Sequence, residues 1–214
     1  MKLASGLLGL TSFAAAGATE QWLVNTWWEK AVEVFQFTES NWGDFSSAVN
    51  AQPQSFFEPA WNFCNENGDD VISIPEFKSC GKRISEYLGT SNSGFDQGAG
   101  IVAKYWYYVD QDESNDLSWD EWRYAQSAFA AIDSLVVLEA FDADENGLMD
   151  SAELRAWRLA MQEMLSEYGW QPNAEHVAAV TAAWAQSQTD DDPFSASMVE
   201  LARFTMLMWN AFLQ

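Results

Sequence analysis

A glutamate followed by a large apolar residue recurs along the chain, and each copy closes a stretch rich in side-chain oxygens. Such self-similarity indicates a repeated structural unit. Calcium takes six to eight hard oxygen ligands at about 2.3–2.6 Å, and alternate residues of a tightly coiled loop can supply them. The spacing therefore predicts calcium-binding loops. The four twelve-residue frames that end at these glutamates are 65–76, 110–121, 142–153 and 189–200.

The third frame resembles the EF-hand calcium loop at every position that carries chemistry. The resemblance implies that Gly147 takes a positive φ to turn the chain and that Met149 points inward toward a neighbouring loop. Leu148 is expected to bind through its carbonyl, Asp150 directly or through water, and Glu153 with both oxygens. The implied ligands are Asp142, Asp144, Asn146, Leu148, Asp150 and Glu153.

The second frame departs from the EF-hand pattern at its turn, where Asn115 replaces glycine. Asparagine tolerates the left-handed conformation better than most residues, so we expect a working site of lower affinity. The implied ligands are Asp110, Asp112, Ser114, Asp116 through its carbonyl, Ser118 and Glu121.

The first frame brings only two charged ligands, Asp69 and Glu76, and places Asp70 at the turn, where we expect backbone strain. Such a loop is weak, but a site of ~10⁻⁴–10⁻³ M is filled at extracellular calcium levels. Two to three bound Ca²⁺ ions are therefore expected in total. The implied ligands are Asn65, Asn67, Asp69, Val71 through its carbonyl, Ser73 and Glu76.

The fourth frame keeps Glu200 but has lost its leading ligands. Thr189, Asp191 and Pro193 stand at the first three ligand positions, and Phe194 stands at the turn. Because phenylalanine does not readily adopt positive φ and proline has no side-chain oxygen, we expect a structural partner that does not bind. A rearranged site around residues 190–192 stays open as an alternative.

Apolar residues around the loops follow helical spacing, which predicts an all-α fold. The arrangement resembles the calmodulin-like EF-hand superfamily over residues 53–213, which implies two EF-hand pairs. Turn-rich inserts at 89–100 and 169–173 favour pairing of the first loop with the second and of the third with the fourth. Besides those flanking the first loop, helices are expected over 20–37, 101–109, 119–141, 151–168, 174–187 and 195–212.

The expected organisation has four parts. An added helical extension, 19–52, precedes the pairs, and its Trp22, Trp27, Trp28, Val32, Val34 and Phe35 suit packing on a lobe or a partner. The uninterrupted segment 119–141 serves as a helical connector. The parts are a signal peptide at 1–18, the extension at 19–52, the first pair at 53–130 and the second pair at 131–214.

The amino terminus has the plan of a secretory signal peptide. Met1-Lys2 precedes the apolar run 3–15, and Ala16-Gly17-Ala18 supplies small residues for cleavage after Ala18, with Ala16 as the alternative position. An ordinary amphipathic first helix is the alternative. No other stretch of about 18 apolar residues is present, so we expect no stable membrane span and a protein that is secreted or lumenal in the secretory pathway or its vesicles.

The charge balance excludes one class of partner. The net charge of -22, from 32 acidic and 10 basic residues, repels phosphate backbones, so nucleic acid is not expected.

Twelve Trp and fourteen Phe suit an aromatic core or a partner-facing surface. We expect protein partners, within a larger assembly, through aromatic or Met-rich apolar faces. The methionines after Met1 all lie in the carboxyl half: Met149, Met161, Met164, Met198, Met206 and Met208.

In the EF-hand frame, Cys64 precedes the first loop and Cys80 follows its closing glutamate by four residues, and both positions face the helix-pair core. The resemblance therefore allows a disulfide, with two buried thiols as the alternative.

Three functions compete. A calcium-stabilised structural or assembly component is preferred, and a calcium sensor that exposes an apolar groove is the alternative. No nucleophile motif accompanies the lone His176, so no enzyme is expected. An oxygenase that resembles EF-hand photoproteins is a weaker alternative. Those proteins use several histidines around a chromophore, whereas this chain has one histidine.

Overall fold

The computed structural model describes residues 26, 29–37, 47, 49–87, 106–167, 173–189 and 194–212. This part of the chain is mostly helical, in agreement with the expected all-α class. Several expectations lie outside the described residues or side chains: the signal peptide at 1–18, the three tryptophans Trp22, Trp27 and Trp28, and the side chains of Met161, Met164 and His176.

Six helices and four short strands have complete bounds. A single 3₁₀ turn, Gln54–Phe56, precedes the first helix. The helices are α1 Glu58–Cys64, α2 Ile74–Tyr87, α3 Trp119–Phe141, α4 Ser151–Glu167, α5 Ala174–Ser187 and α6 Met198–Phe212. The strands are β1 Val71–Ser73, β2 Asp116–Ser118, β3 Leu148–Met149 and β4 Ala196–Ser197.

Helix α3 is the longest element in the described part of the chain and has the predicted bounds. It contains no Gly or Pro, and a capping box fixes its start. The Ser118 hydroxyl accepts from Glu121 N, and the Glu121 side chain accepts from Ser118 N. At the other end, Asp142 N donates to Leu138 O at 2.9 Å. Both ends of α3 therefore coincide with candidate ligand residues.

Among the described helices, α3 alone is long and apolar enough to cross a membrane. It is not a continuous run of about 18 apolar residues, because Asp133 and Glu139 interrupt it, but its average hydropathy is still high enough. Of its most apolar window, 56% is buried inside the protein. Trp122, Ile132 and Val136 are among its buried residues, as in the core helix of a globular protein.

The strands join the four loops in two pairs. β1 pairs antiparallel with β2, which places Ile72 opposite Leu117. β3 pairs antiparallel with β4, which places Met149 opposite Ala196. All four of these side chains are buried. The first loop is thus joined to the second and the third to the fourth, as the inserts predicted.

The core runs through both halves of the chain. Helix α6 packs along α3 and α5, and it also contacts α1. One cluster of buried side chains includes Phe57 and Trp122 from the first half together with Met149 and Leu201 from the second. Helix α3 therefore does more than connect two halves, since the halves share its buried face.

The described residues before the first loop pack on the same core. Residues 29–37 are helical, and Ala31, Val34 and Phe35 are buried. Phe35 stacks on Tyr108 with ring centroids 4.4 Å apart. Lys30 lies 3.5 Å from Glu139 of α3. These contacts support the prediction that the extension packs on the rest of the protein.

Arg123 of α3 holds the chain just before the 3₁₀ turn. Its guanidinium donates to Val49 O at 2.9 Å and to Asn50 Oδ1 at 3.0 Å, and it lies 5.2 Å from the centre of the Phe57 ring. Planar guanidinium groups suit such combined hydrogen bonding and stacking.

Cys64 and Cys80 are joined by a disulfide, with Cα atoms 4.8 Å apart. The bond links the end of α1 to the middle of α2, so it closes the first loop covalently. Of the two alternatives that the sequence left open, the structure has the disulfide.

Candidate metal centres

The loop at 142–153 is coiled around its first aspartate. Asp142 Oδ1 accepts from Asn146 N at 3.1 Å and Oδ2 accepts from Gly147 N at 2.7 Å. Gly147 has φ of +80°, as predicted, and a Cβ there would meet nothing within 4 Å. Backbone conformation rather than space therefore requires glycine at this position.

Glu153 closes this loop from the start of α4. Its Oε1 accepts from Ala143 N at 2.6 Å and its Oε2 accepts from Asp150 N at 2.8 Å. Asp150 Oδ1 in turn accepts from Glu153 N at 3.0 Å. Carboxylate oxygens of Asp142, Asp144 and Glu153 come within 4.8 Å of one another.

Two further predicted ligands, Asn146 and Leu148, lie on the exposed side of this loop. Asn146 Oδ1 accepts from Leu148 N at 2.8 Å, and its amide donates to Asp144 Oδ2 at 3.0 Å. Leu148 belongs to β3, and its side chain is exposed.

The loop at 110–121 repeats this geometry. Asp110 Oδ1 accepts from Ser114 N at 3.0 Å, and Oδ2 accepts from Asn115 N at 2.9 Å. Asn115 has φ of +67°, so it takes the left-handed turn as predicted. Glu121 Oε1 accepts from Gln111 N at 2.8 Å. Oxygens of Asp110, Asp112 and Glu121 form the second group within 4.8 Å.

Electrostatic conditions in this second loop favour a cation. The side chains of Asp110 and Glu121 are both acidic and both buried. Hydrogen bonds from the side chain and the backbone of Ser114 lower the pKa of Asp112. Buried carboxylates that face one another are costly unless a positive charge compensates them.

The remaining predicted ligands of the second loop make hydrogen bonds inside it. The Ser114 hydroxyl donates to the carbonyl of Asp116 at 2.9 Å. The Ser118 hydroxyl donates to Glu121 Oε2 at 2.7 Å. Ser118 is therefore chiefly a helix cap, which its position three residues before glutamate signals in the sequence.

The loop at 65–76 differs in its turn. The positive φ, +71°, belongs to Gly68, and Asp70 is not in the left-handed region. The expected strain at Asp70 was wrong. Gly68 is the fourth residue of its loop, where Glu113 and Glu145 of the next two loops also have positive φ, so the first loop differs only in lacking a positive φ at its sixth position. Asn65 Oδ1 accepts from Gly68 N at 2.9 Å, and the Asn65 amide donates to Asp69 O at 2.5 Å.

The closing glutamate of the first loop is bound as in the others. Glu76 Oε1 accepts from Asn67 N at 3.2 Å, and Oε2 accepts from Ser73 N and from its hydroxyl. The hydrogen bonds from Ser73 lower the pKa of Glu76 although burial opposes the shift. Asp69 accepts from Val71 N at 3.0 Å and from the Asn67 amide at 2.8 Å. This loop therefore offers two carboxylate ligands, whereas the loops at 110–121 and 142–153 each bring three carboxylates together.

In the loop at 189–200, the closing glutamate makes the same kind of hydrogen bonds, but the described residues at the start of this loop include no acidic residue. Glu200 Oε1 accepts from Thr189 N at 2.8 Å and Thr189 Oγ1 at 3.0 Å. Its Oε2 accepts from Ser197 N and Ser197 Oγ, each at 2.9 Å. Asp191, Pro193 and the alternative site at 190–192 lie outside the described residues.

Glu200 is only 2% exposed. Burial by itself raises the pKa of Glu200, but the hydrogen bonds from Thr189 and Ser197 outweigh it and hold the pKa at about 2. In this clasp, the closing glutamate accepts hydrogen bonds from residues at both ends of its loop. It was not predicted from the sequence, although the Ser197-x-x-Glu200 pattern is a helix-capping signal.

Comparisons with protein-family models, with curated proteins and with solved structures find no match. In each of the two groups of three carboxylates, the oxygens converge closely enough to hold a metal ion.

Proposed function

We propose that this protein binds Ca²⁺ through EF-hand-type loops at 142–153 and 110–121, and more weakly at 65–76. The observation that carries the proposal is the convergence of three carboxylates in each of the first two loops, with oxygens within 4.8 Å. The shared clasp of the closing glutamate, present in all four loops, supports the proposal that they are copies of one unit.

The donor chemistry favours calcium over other metals. The proposed ligands are carboxylate, amide, hydroxyl and carbonyl oxygens, and none is a histidine or cysteine. Zinc and copper sites use nitrogen and sulfur donors, and Mg²⁺ usually retains several waters around one or two carboxylates. Flexible loops that supply many oxygens suit the larger Ca²⁺ ion.

The proposed order of affinity follows ligand charge. The loops at 142–153 and 110–121 each bring three carboxylates together. The loop at 142–153 has in addition a glycine at its turn and a further aspartate, Asp150. The loop at 65–76 brings only two charged ligands, Asp69 and Glu76, because Asn65 and Asn67 are neutral. Each missing charge weakens attraction to a divalent cation.

We further propose that calcium stabilises a structural component in a secreted or lumenal setting. The net charge of -22 repels itself, and bound divalent ions relieve that repulsion. Met149 is buried and Met206 packs against the core, which supports a packing role for these methionines. Abundant extracellular calcium would also fill the weakest loop.

A calcium sensor is the second candidate. The observation that favours it is the exposure of Leu148, Phe194 and Val199 in the carboxyl half. Such side chains suit a protein partner that binds beside the third and fourth loops. No enzymatic activity is proposed.

Calorimetric titration with Ca²⁺ tests the binding proposal. Glu153→Gln removes the charge and one of two oxygens, so we expect the tightest binding event to disappear while the others remain. Glu175→Gln, an exposed residue in the first turn of α5, is the matched control and should leave the titration unchanged. An unaltered isotherm for Glu153→Gln would refute the assignment.

Chelation separates the two roles. A structural component should lose stability with a chelator and bind little apolar dye when loaded. A sensor should stay folded and show a large rise in dye binding as calcium reaches its dissociation constant.

A further inference from the structure

A cleft of about 460 Å³ lies beside the first loop, between α1 and the start of α3. Two indole rings, Trp61 and Trp119, and three carboxylates, Glu58, Asp69 and Asp70, contribute to its lining. None of the described residues that line it is basic. The cleft is therefore aromatic and acidic at once.

The two indoles form a fixed corner. Trp61 and Trp119 meet edge to face, with centroids 5.1 Å apart and planes at 83°. Trp61 also contacts the buried Trp122, and Trp119 contacts the buried Phe57. Because core rings hold both indoles, the corner exists before any ligand arrives.

The carboxylates around this corner differ in how far they are already used. Asp69 accepts hydrogen bonds from Val71 N and the Asn67 amide, so it is directed to its own loop. Glu58 accepts from the Gln54 amide at 2.6 Å. Within the described part of the chain, Asp70 makes no hydrogen bond or ion pair. Asp70 therefore supplies an uncompensated negative charge at the cleft.

We propose that this cleft binds an organic ammonium group, such as a quaternary ammonium. The negative face of an indole ring attracts a cation that carries alkyl groups, and nearby carboxylates add long-range attraction. A metal ion is the less suitable occupant because it requires a shell of oxygen ligands, which indole faces do not provide. The proposal does not depend on calcium binding, although Asp69 is shared with the first loop.

The test follows the indole N–H signals by NMR while choline is added to the calcium-loaded protein. Trp61→Phe and Trp119→Phe identify the two signals. The comparison ligand is dimethylbutanol, the uncharged isostere of choline in which carbon replaces nitrogen. We expect choline to shift both signals and the alcohol to bind about threefold to thirtyfold more weakly.

Charge variants locate the site. Asp70→Asn should weaken choline binding severalfold, and its exposed side chain makes loss of folding an inadequate explanation. Asp120→Asn is the matched control, because Asp120 is exposed at the start of α3 but does not line the cleft. Equal binding of choline and the alcohol, or equal binding by wild type and Asp70→Asn, would overturn the proposal.

Calcium state keeps this proposal separate from the proposed function. Choline shifts that persist in chelator support the cleft even if no loop binds calcium. Shifts of the same indoles by CaCl₂, with no response to choline, would show that the cleft serves an inorganic cation and would reject the ammonium site.

Discussion

Replacing Glu200 by glutamine tests whether the fourth loop is held together without an ion. The carboxylate accepts two backbone N–H groups and two hydroxyls, from Thr189 and Ser197. Glutamine keeps one accepting oxygen and presents an NH₂ group where two donors already point. The variant therefore loses charge-assisted hydrogen bonds and faces donor against donor in a buried position.

The magnitude follows from the pKa. The folded protein holds the pKa of Glu200 at about 2 against an ordinary value of 4.5. A shift of this size corresponds to on the order of 3 kcal/mol of stabilisation of the charged form, and the 2% exposure leaves little solvent screening. We expect the variant to lower the free energy of unfolding by about 2–4 kcal/mol at pH 7.

The pH dependence has a defined sign. Because the folded pKa is lower than the unfolded pKa, the contribution of Glu200 is complete above about pH 4.5 and is lost as pH falls toward 2. The difference in unfolding free energy between wild type and variant should therefore be constant near neutrality and shrink in that acidic window. Subtracting the variant removes the contribution of carboxylates common to both proteins.

Urea unfolding in calcium excess, followed by circular dichroism, measures this difference, and calorimetry counts bound ions in parallel. The control is again Glu175→Gln, which should change stability by less than about 0.5 kcal/mol. The number of bound ions should not change in either variant. Loss of one ion from Glu200→Gln, or unchanged stability, would refute the ion-independent clasp.

Two further predictions concern the first half of the chain. Reducing the disulfide between Cys64 and Cys80, which closes a short loop, should lower the free energy of unfolding by about 2–3 kcal/mol. Urea unfolding with and without a dithiol measures this as a lower midpoint, and an unchanged midpoint would contradict the prediction. Arg123→Ala removes the hydrogen bonds to Val49 and Asn50 and should lower the free energy of unfolding by about 1–3 kcal/mol. Proteolysis just before residue 51 should become faster, and an unaltered cleavage rate would argue against this prediction.

Local sequence determined the long elements well. The bounds of α3 and α5 equal those predicted, because α3 contains no helix breaker and both have strong helix formers. The start of α6 was placed three residues too early. Ala196 and Ser197 lie in β4 instead, and that strand depends on pairing with β3, nearly fifty residues away.

The candidate site was predictable where side chains act on their own loop. The turn residues Gly147 and Asn115 and the convergence around Asp142 and Asp110 follow from spacing within twelve residues. The backbone conformation of Asp70 was wrongly predicted, because a positive φ was expected at the sixth position of every loop, whereas the first loop has it at Gly68, the fourth position.

Long-range packing was not predictable from these patterns. The contact of α6 with α3 joins residues that lie far apart in the chain. Helical periodicity indicates which face of each helix is apolar, but not which other face covers it. The continuity of the core through both halves is therefore information that only the structure supplies.

Helix α3 sets the distance between the two groups of three carboxylates. Its capping glutamate, Glu121, closes one group, and the residue after its last turn, Asp142, opens the other. At a helical rise of 1.5 Å per residue, these positions are about 30 Å apart. Since electrostatic screening at physiological salt acts over about 8 Å, a cation at one group exerts little field at the other. The length of one helix thus makes the two groups electrostatically independent of each other.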